Sequence, residues 1–350
     1  MFAELSKRKE KVIGSESRTA QLTIYGYTAD TSSYAGNKVT ITAKKSQADG
    51  LNNDESGTLR VKAKNFRLYN VNVANTYGKG SQAVALSAYA DSGYYGSQFT
   101  GFQDTVLSQQ GNQLYSKCLI QGATDFIFGQ KALAWFEKCD LRVVTNSIGY
   151  ITAHGRTSAS EKSEYVFNNC NIAAASGNTV SNGAYYLGRP WREFAQVVFQ
   201  KTSMSGVINS AGWKIWNDGD PRTSSVLFGE YQNSGIGSQG TRASFSKKLG
   251  SAVSISSILG SSYTSAGKVT KTDARTLATN NEAIEQEEED RSIVEDGKPD
   301  TENGASMVSS DGIRVQKPRE ATVAHATMDG ADDPGHSRGA LTTTQRYSKP

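Results

Sequence analysis

Two similar phrases follow each other in the segment that decides the fold, GFQDTVLSQQGNQLYSKCLIQGATDFIFG, residues Gly101–Gly129. The first phrase carries Asp104 and the second carries Asp125, 21 positions later. A repeat of this length falls in the range of solenoid proteins, in which each repeat stacks on the one before it. The segment therefore indicates a stacked fold, provided that the repeat continues along the chain.

The same pattern does continue, from residue 68 to residue 204. An apolar residue is followed three positions later by a small or apolar residue, and two positions after that by another apolar residue. The copies are Leu68/Val71/Val73, Tyr94/Ser97/Phe99, Tyr115/Cys118/Ile120, Phe136/Cys139/Leu141, Phe167/Cys170/Ile172 and Phe199/Thr202/Met204. They begin 21 to 32 residues apart, and the flanking residues are typical of short strands and turns. We therefore predict an all-β fold, a right-handed parallel β-helix, with a β-sandwich as the alternative.

The three cysteines of the chain all occupy the middle position of this repeat. Stacked coils would place Cys118, Cys139 and Cys170 above one another in the interior. The pattern predicts a ladder of small, buried, free thiols rather than disulfides or a metal site.

The composition divides the chain of 350 residues into three parts. Aromatic residues are spread up to Tyr263, but from Lys268 onward only Tyr347 remains, and an acidic run EQEEED lies there. We expect a polar lead over residues 1–19, a β-helix domain over 20–267 and a disordered acidic tail over 268–350. Residues 1–267 carry 27 basic and 18 acidic side chains, which suits a polyanionic partner.

No stretch of the sequence approaches the ~20 apolar residues that a membrane-spanning helix needs. The first residues, MFAELSKRKEKVIG, also lack the apolar core of a signal peptide. We therefore expect no membrane partner, and the N-terminus by itself indicates a cytosolic protein.

The repeat also predicts where the two aspartates meet. Asp104 lies five positions after Phe99, and Asp125 lies five positions after Ile120, so both should occupy the same place on neighbouring coils. Adjacent strands lie ~4.8 Å apart, and two carboxylates at that distance do not both ionise easily. One would stay charged and the other would hold a proton, which is the arrangement of a nucleophile and an acid. Two turn aspartates with a purely structural role are the alternative.

Five segments, in this order, resemble the signature of the pectin methylesterases, particularly the fungal type. They are GFQDT (Gly101–Thr105), DFIFG (Asp125–Gly129), GYITAHGRT (Gly149–Thr157), LGRPW (Leu187–Trp191) and GWKIWN (Gly212–Asn217). The resemblance spans roughly residues 21–267 and implies a right-handed parallel β-helix enzyme, usually secreted. The implied reaction is hydrolysis of the C6 methyl esters of homogalacturonan (pectin), without a metal or another cofactor. We expect pectin as the partner, no nucleic-acid partner and a monomer. Compared with the family, the chain is expected to lack the first coil of the β-helix.

The resemblance implies a role for each matching residue of the catalytic group. Asp125 would be the nucleophile, and Asp104 would act first as general acid and then as general base. Gln103 would donate a hydrogen bond to the oxyanion, and Arg189 would hold Asp125 ionised.

Three further residues are expected to line the substrate site. By resemblance, Trp191 and Phe128 would line the sugar cleft. Many family members carry a second glutamine as an oxyanion donor, and aligning AVALSAYADSGYYG with the family assigns that position to Ser92. His154 is expected to be a structural side chain, because two carboxylates already fill the catalytic roles.

Two other functions stay open from the sequence. Another pectin-active β-helix enzyme, a galacturonan hydrolase or a lyase, would also bind a polyanion. A truncated, poorly active or non-catalytic protein that only binds pectin would retain the same motifs.

Overall fold

The computed structural model describes residues 21–261 and Tyr263, and that part of the chain consists almost entirely of short parallel strands. The strands form three sheets, and successive coils contribute one strand in turn to sheet 1, sheet 2 and sheet 3. This is a parallel β-helix, so the prediction of an all-β solenoid is confirmed and the sandwich alternative is wrong. The predicted tail and the whole of the polar lead, residues 1–19, lie outside the described residues.

The strand bounds follow the three sheets. Sheet 1 contains β1 (Thr23–Tyr25), β4 (Phe66–Tyr69), β7 (Ser92–Tyr95), β10 (Gln110–Ser116), β13 (Lys131–Glu137), β16 (Glu164–Asn168), β19 (Gln196–Gln200), β21 (Leu227–Tyr231) and β22 (Ser246–Lys248). Sheet 2 contains β2 (Val39–Ala43), β5 (Val71–Asn75), β8 (Gln98–Thr100), β11 (Leu119–Gly122), β14 (Asp140–Val143), β17 (Asn171–Ala174) and β20 (Ser203–Met204). Sheet 3 contains β3 (Leu59–Val61), β6 (Leu86–Ala88), β9 (Val106–Ser108), β12 (Ile127–Gly129), β15 (Gly149–His154) and β18 (Tyr185–Pro190).

Helices are few in this part of the chain. Two 3₁₀ turns cover Gln47–Asp49 and Ile236–Ser238, and a single α-helix, α1, covers Ile255–Leu259. Helix α1 packs Ile258 and Leu259 against the outer face of sheet 1. In the described residues, no helix has the length and hydropathy needed to cross a membrane.

The core is a set of side-chain stacks that run along the axis of the β-helix. The apolar residue that opens each repeat forms one stack, with ring centroids 4.3–4.7 Å apart; its members are Tyr94, Tyr115, Phe136, Phe167 and Phe199. The strand register pairs these residues directly, and it also pairs the closing residues of the repeat, such as Phe99 with Ile120. The repeat read from the sequence is therefore the register of the fold.

The cysteine ladder lies inside the same core, as predicted. Cys118, Cys139 and Cys170 are buried and free. Each thiol donates to a backbone carbonyl of the preceding coil, at 3.4–3.5 Å. Burial raises the pKa of the Cys118 and Cys139 thiols well above the usual value, so both stay protonated and unreactive.

The corner between sheets 1 and 2 demands the same backbone conformation in coil after coil. The residue two positions after the opening residue of each repeat has a left-handed backbone with φ of 51–53°; these residues are Asn70, Gly96, Lys117, Lys138, Asn169 and Lys201. Single residues of this conformation turn the chain sharply without breaking the ladder. A second left-handed corner, between sheets 2 and 3, contains Asp104 and Asp125.

Candidate active site

The two aspartates occupy equivalent corners of neighbouring coils, as the repeat predicts. Asp104 lies two residues before β9, and Asp125 lies two residues before β12. Gln103 and Thr124, the residues before them, form a parallel bridge, and the Asp104 N–H donates to the Thr124 carbonyl oxygen at 3.0 Å. Both side chains are fully buried. Coil stacking therefore brings two carboxylic groups together in an environment that disfavours two negative charges.

Asp125 is held in a two-point ion pair with Arg189 of β18. The Arg189 Nε donates to Oδ1 at 2.9 Å, and Nη2 donates to Oδ2 at 2.8 Å. Burial opposes the charge on Arg189, but the hydrogen bonds and charge of Asp125, with a smaller contribution from Asp104, raise the pKa of Arg189 above its usual value. The fork fixes the orientation of the Asp125 carboxylate.

Two aromatic rings hold the guanidinium in place. The ring of Tyr150 lies 4.2 Å from the Arg189 Cζ, and the ring of Trp216 lies 4.3 Å from it. Both rings are buried, with exposed fractions of 9% and 7%. They belong to the segments GYITAHGRT and GWKIWN, although the family resemblance implied no role for either residue. Two rings against one guanidinium leave Arg189 little freedom to leave Asp125.

Trp191 lies beside this group, at the end of sheet 3. Its ring is half-buried and lies 6.1 Å from the ring of Phe128, at an angle of 55°. Phe128 itself is 1% exposed and packs in a small cluster with Leu107 and Ala153 on the outer face of sheet 3. Trp191 thus offers a ring to the surface, and Phe128 supports it from below. Their predicted roles in sugar binding stay predictions.

The structure places a second glutamine, Gln82, next to Gln103. Both side chains are half-buried, and the Ala83 N–H donates to the Gln103 carbonyl oxygen at 3.1 Å. The Asp104 N–H makes the same bond to Thr124 one coil later, so Gln82, Gln103 and Thr124 are successive members of one column. Gln82 stands in the segment QAVAL and was not among the site residues predicted from the sequence.

Ser92 lies elsewhere, at the start of β7 in sheet 1. Its register partner in the next coil is Gln113, and its hydroxyl donates to the Ala90 carbonyl oxygen at 2.9 Å and accepts from the Tyr94 hydroxyl at 3.1 Å. These bonds direct the hydroxyl toward the core stack rather than toward Gln103. The expectation that Ser92 replaces a second oxyanion glutamine is corrected by this placement, since Gln82 is the residue adjacent to Gln103.

His154 is a satisfied structural side chain, as expected. It is fully buried, its Nδ1 accepts from the Gln196 N–H at 2.9 Å, and its Nε2 lies 2.8 Å from the Ser163 hydroxyl. Burial lowers the pKa of His154 to about 3. The ring is neutral at ordinary pH and is committed to packing.

The described residues contain no group of three or more His, Cys, Asp or Glu side chains arranged to hold a metal ion. What the corner does contain is an ion-paired carboxylate, a second carboxylic group and two side-chain amides. This combination suits nucleophilic attack on a carbonyl carbon, with an acid for the leaving group and donors for the oxyanion.

Comparison with known proteins identifies the family. The pectinesterase family matches residues 20–267 of this chain. A pectinesterase from Aspergillus aculeatus is 54% identical over 251 residues, which cover 71% of this chain and 76% of that protein. The crystal structure of the deglycosylated pectin methylesterase from Aspergillus niger aligns with a TM-score of 0.68 and 42% identity, over 75% of this chain and 84% of that chain. A pectin methylesterase solved in complex with a hexasaccharide aligns with a TM-score of 0.56 and 25% identity, over 72% and 86%.

These matches cover most of the chain, and they agree with the parallel β-helix. The chain belongs to the pectinesterase family. The family is one of carboxylic ester hydrolases, which agrees with the chemistry that the corner offers.

Proposed function

We propose that the protein hydrolyses the C6 methyl esters of homogalacturonan, releasing methanol and leaving free carboxylates on the polymer. The observation that supports this most strongly is the two-point pair between Asp125 and Arg189, which presents one ionised carboxylate in a fixed orientation. The second carboxylic group, Asp104, lies in the equivalent corner of the adjacent coil. An ester that enters this corner meets a nucleophile and an acid at once.

In the first step of the proposed reaction, a carboxylate oxygen of Asp125 attacks the ester carbonyl carbon. Negative charge develops on the carbonyl oxygen, and the amides of Gln103 and Gln82 would donate hydrogen bonds to it. As the C–O bond to the methoxy group breaks, the proton of Asp104 passes to the departing oxygen and methanol leaves. The product of this step is an anhydride between Asp125 and the galacturonate.

In the second step, water attacks the galacturonate carbonyl of this anhydride. Asp104, now ionised, accepts a proton from the water, and the bond to Asp125 breaks. The galacturonate carboxyl and the Asp125 carboxylate are released, and Asp104 is again protonated. Arg189 favours the second step because it stabilises the carboxylate that leaves.

The basic excess in residues 1–267 supports a polyanionic polymer as the substrate. The hexasaccharide complex of a pectin methylesterase shows that a related β-helix of the same family binds an oligosaccharide. Pectin is a cell-wall polymer, so we place the site of action outside the cell. The family membership favours an esterase over the hydrolase and the lyase that the sequence left open.

The test is a product analysis with the full-length chain and highly methylated pectin. We expect methanol and new carboxyl groups in equal amounts, with no new reducing ends and no unsaturated sugars. New reducing ends would indicate a galacturonan hydrolase, and unsaturated ends a lyase. Binding of pectin without any product would show that the protein is a non-catalytic pectin-binding β-helix.

A further inference from the structure

Arg222 contacts both tryptophans of the candidate active site. Its Nη1 donates to the carbonyl oxygen of Trp191 at 2.5 Å. Its Cζ lies 4.8 Å from the centre of the Trp216 ring, and the same ring lies 4.3 Å from the Cζ of Arg189. One side chain therefore connects the segment that carries Trp191 with the ring that holds the Arg189 guanidinium.

A tight hairpin places Arg222 beside Trp216. Asn217 and Asp220 exchange two backbone hydrogen bonds, of 3.3 and 3.2 Å, around an Asp-Gly pair, which is typical of two-residue hairpin loops. The Trp216 N–H then donates to the Pro221 carbonyl oxygen at 3.2 Å. The segment WNDGDPR therefore folds back on itself, so that its last residue returns to its first.

The backbone of Arg222 is strained. Its φ is 54°, in the left-handed region, which asparagine, aspartate and glycine adopt more readily than arginine does. Arg222 belongs to neither of the two repeated corners of the β-helix, so the stacking of coils does not impose this conformation. Strain of this kind is concentrated at functional sites, where the surrounding structure maintains it. The conformation therefore points to a function of the arginine side chain.

An ion pair within the hairpin orients the Arg222 guanidinium. The Arg222 Nε donates to Asp220 Oδ2 at 2.7 Å, and Nη2 lies 2.6 Å from the same oxygen. Both side chains reach the solvent, with exposed fractions of 23% for Arg222 and 51% for Asp220, so the pair contributes little to stability. Its effect is to direct Nη1 to the Trp191 carbonyl and to keep the guanidinium beside the Trp216 ring.

We propose that Arg222 is a positioning residue for ester hydrolysis. It acts on Arg189 through the Trp216 ring, and on the surface expected to bind sugars through the backbone of Trp191. The proposal rests on the proposed function and names a further residue of the same site. A Trp216 ring that Arg222 does not hold leaves Arg189 more freedom, and Asp125 then meets the ester in fewer productive orientations. Loss of Arg222 should lower kcat through Trp216 and raise KM through Trp191.

The first experiment measures methanol release from methylated pectin by Arg222→Asn. Asparagine fits the left-handed backbone, so the melting temperature should stay near that of wild type. We expect kcat to fall roughly three- to tenfold and KM to rise roughly threefold. The matched control is Arg142→Asn on β14, because Arg142 also pairs with an aspartate two residues earlier, Asp140, and donates to a backbone carbonyl of another coil, that of Asn171. An unchanged kcat in Arg222→Asn, or an equal fall in both variants, would overturn the proposal.

The second experiment combines Arg222→Asn with Arg189→Lys. Because Arg189→Lys already loses the flat contact with Trp216, Arg222 has no route to the nucleophile in that background. We expect Arg222→Asn to lower kcat there by less than about twofold, while KM rises as much as it does in the wild-type background. An equal loss of kcat in both backgrounds would overturn the proposal. A wild-type protein that releases no methanol would instead contradict the proposed function, so the two failures are distinguishable.

Discussion

Asp104 and Asp125 have the same backbone conformation at the same corner of neighbouring coils, with φ of 63° and 49°. Aspartate tolerates this left-handed conformation better than most side chains do. The shared corner places both carboxylic groups in equivalent positions of neighbouring coils, and Arg189 makes its two-point pair with Asp125. An identical backbone thus produces two groups with unlike surroundings, because the Arg189 fork fixes the orientation of the Asp125 side chain in a corner where both side chains are buried.

The two-point geometry of the Arg189 guanidinium should contribute to activity beyond the effect of its positive charge. Arg189→Lys keeps the charge but cannot make two parallel hydrogen bonds to Asp125, and it loses the flat contact with Tyr150 and Trp216. We expect kcat/KM for methanol release to fall roughly tenfold or more, with little change in the melting temperature. Activity equal to wild type would show that a point charge is enough.

The column of glutamines predicts two oxyanion donors. Gln103→Ala and Gln82→Ala should each lower kcat roughly 10²- to 10³-fold, the usual loss for one such donor. Ser92→Ala is the matched control, since the Ser92 hydroxyl bonds to Ala90 and Tyr94 and should leave kcat nearly unchanged. A large loss in Ser92→Ala together with a small loss in Gln82→Ala would reverse the assignment.

His154 should make stability depend on acidity. Its pKa is about 3 in the folded protein and 6.5 in the unfolded chain, so below pH 6.5 the unfolded chain binds a proton that the folded protein does not. The free energy of unfolding should therefore fall by up to ~1.4 kcal/mol per pH unit as the pH drops from 6.5 toward 3. Denaturant titrations of wild type and His154→Asn across this range test the expectation. His154→Asn should be less stable at pH 7 but should lose less on acidification, and parallel profiles for the two proteins would contradict this.

A loop near the N-terminal end of the described residues, which contains Ser33 and Tyr34, is hydrogen-bonded to several coils of the β-helix. Its backbone carbonyls accept from Asn70 at 2.9 Å and from Gln98 at 3.2 Å, and the Tyr34 hydroxyl donates to Asp140 Oδ2 at 2.5 Å. Burial, followed by the bond to Asp140, raises the pKa of Tyr34 to about 12, so the hydroxyl remains a donor. Tyr34→Phe should lower the free energy of unfolding by about 1 kcal/mol without changing kcat. A double-mutant cycle with Asp140→Asn measures the coupling energy between Tyr34 and Asp140. A coupling energy of zero would contradict a stabilising role for this hydrogen bond.

The fold could be predicted from the sequence because residues at the same position of successive repeats are also register partners in neighbouring strands. A residue such as Tyr115 contacts Tyr94 and Phe136 because all three open a repeat, so one-dimensional spacing reports three-dimensional contact. Asp104 and Asp125 were found for the same reason. Arg189 lies 64 residues after Asp125, and only the resemblance to a family indicated its role.

The parts of the site that could not be predicted from the sequence depend on loops of unequal length. Leu86 and Val106 are register partners in neighbouring coils. Leu86 lies four positions after Gln82, whereas Val106 lies only three positions after Gln103. Counting positions from the strands therefore does not align Gln82 with Gln103. The prediction assigned the position of the second oxyanion donor to Ser92 instead. The rings of Tyr150 and Trp216 reach Arg189 from different coils, and no local pattern reports such a contact.

The central claim, that Asp125 is the nucleophile, is tested most directly by methanol release from methylated pectin by Asp125→Asn. The amide keeps the shape of the side chain and removes the attacking oxygen's charge, so we expect activity to fall by roughly 10³-fold or more while the melting temperature stays near that of wild type and pectin binding is kept. Asp104→Asn should also be severe, and the double variant should be hardly worse than either single one, because the two groups act as a unit. An Asp125→Asn protein that keeps a tenth or more of wild-type methanol release would contradict the account, and the two aspartates would then be structural residues of a repeated corner.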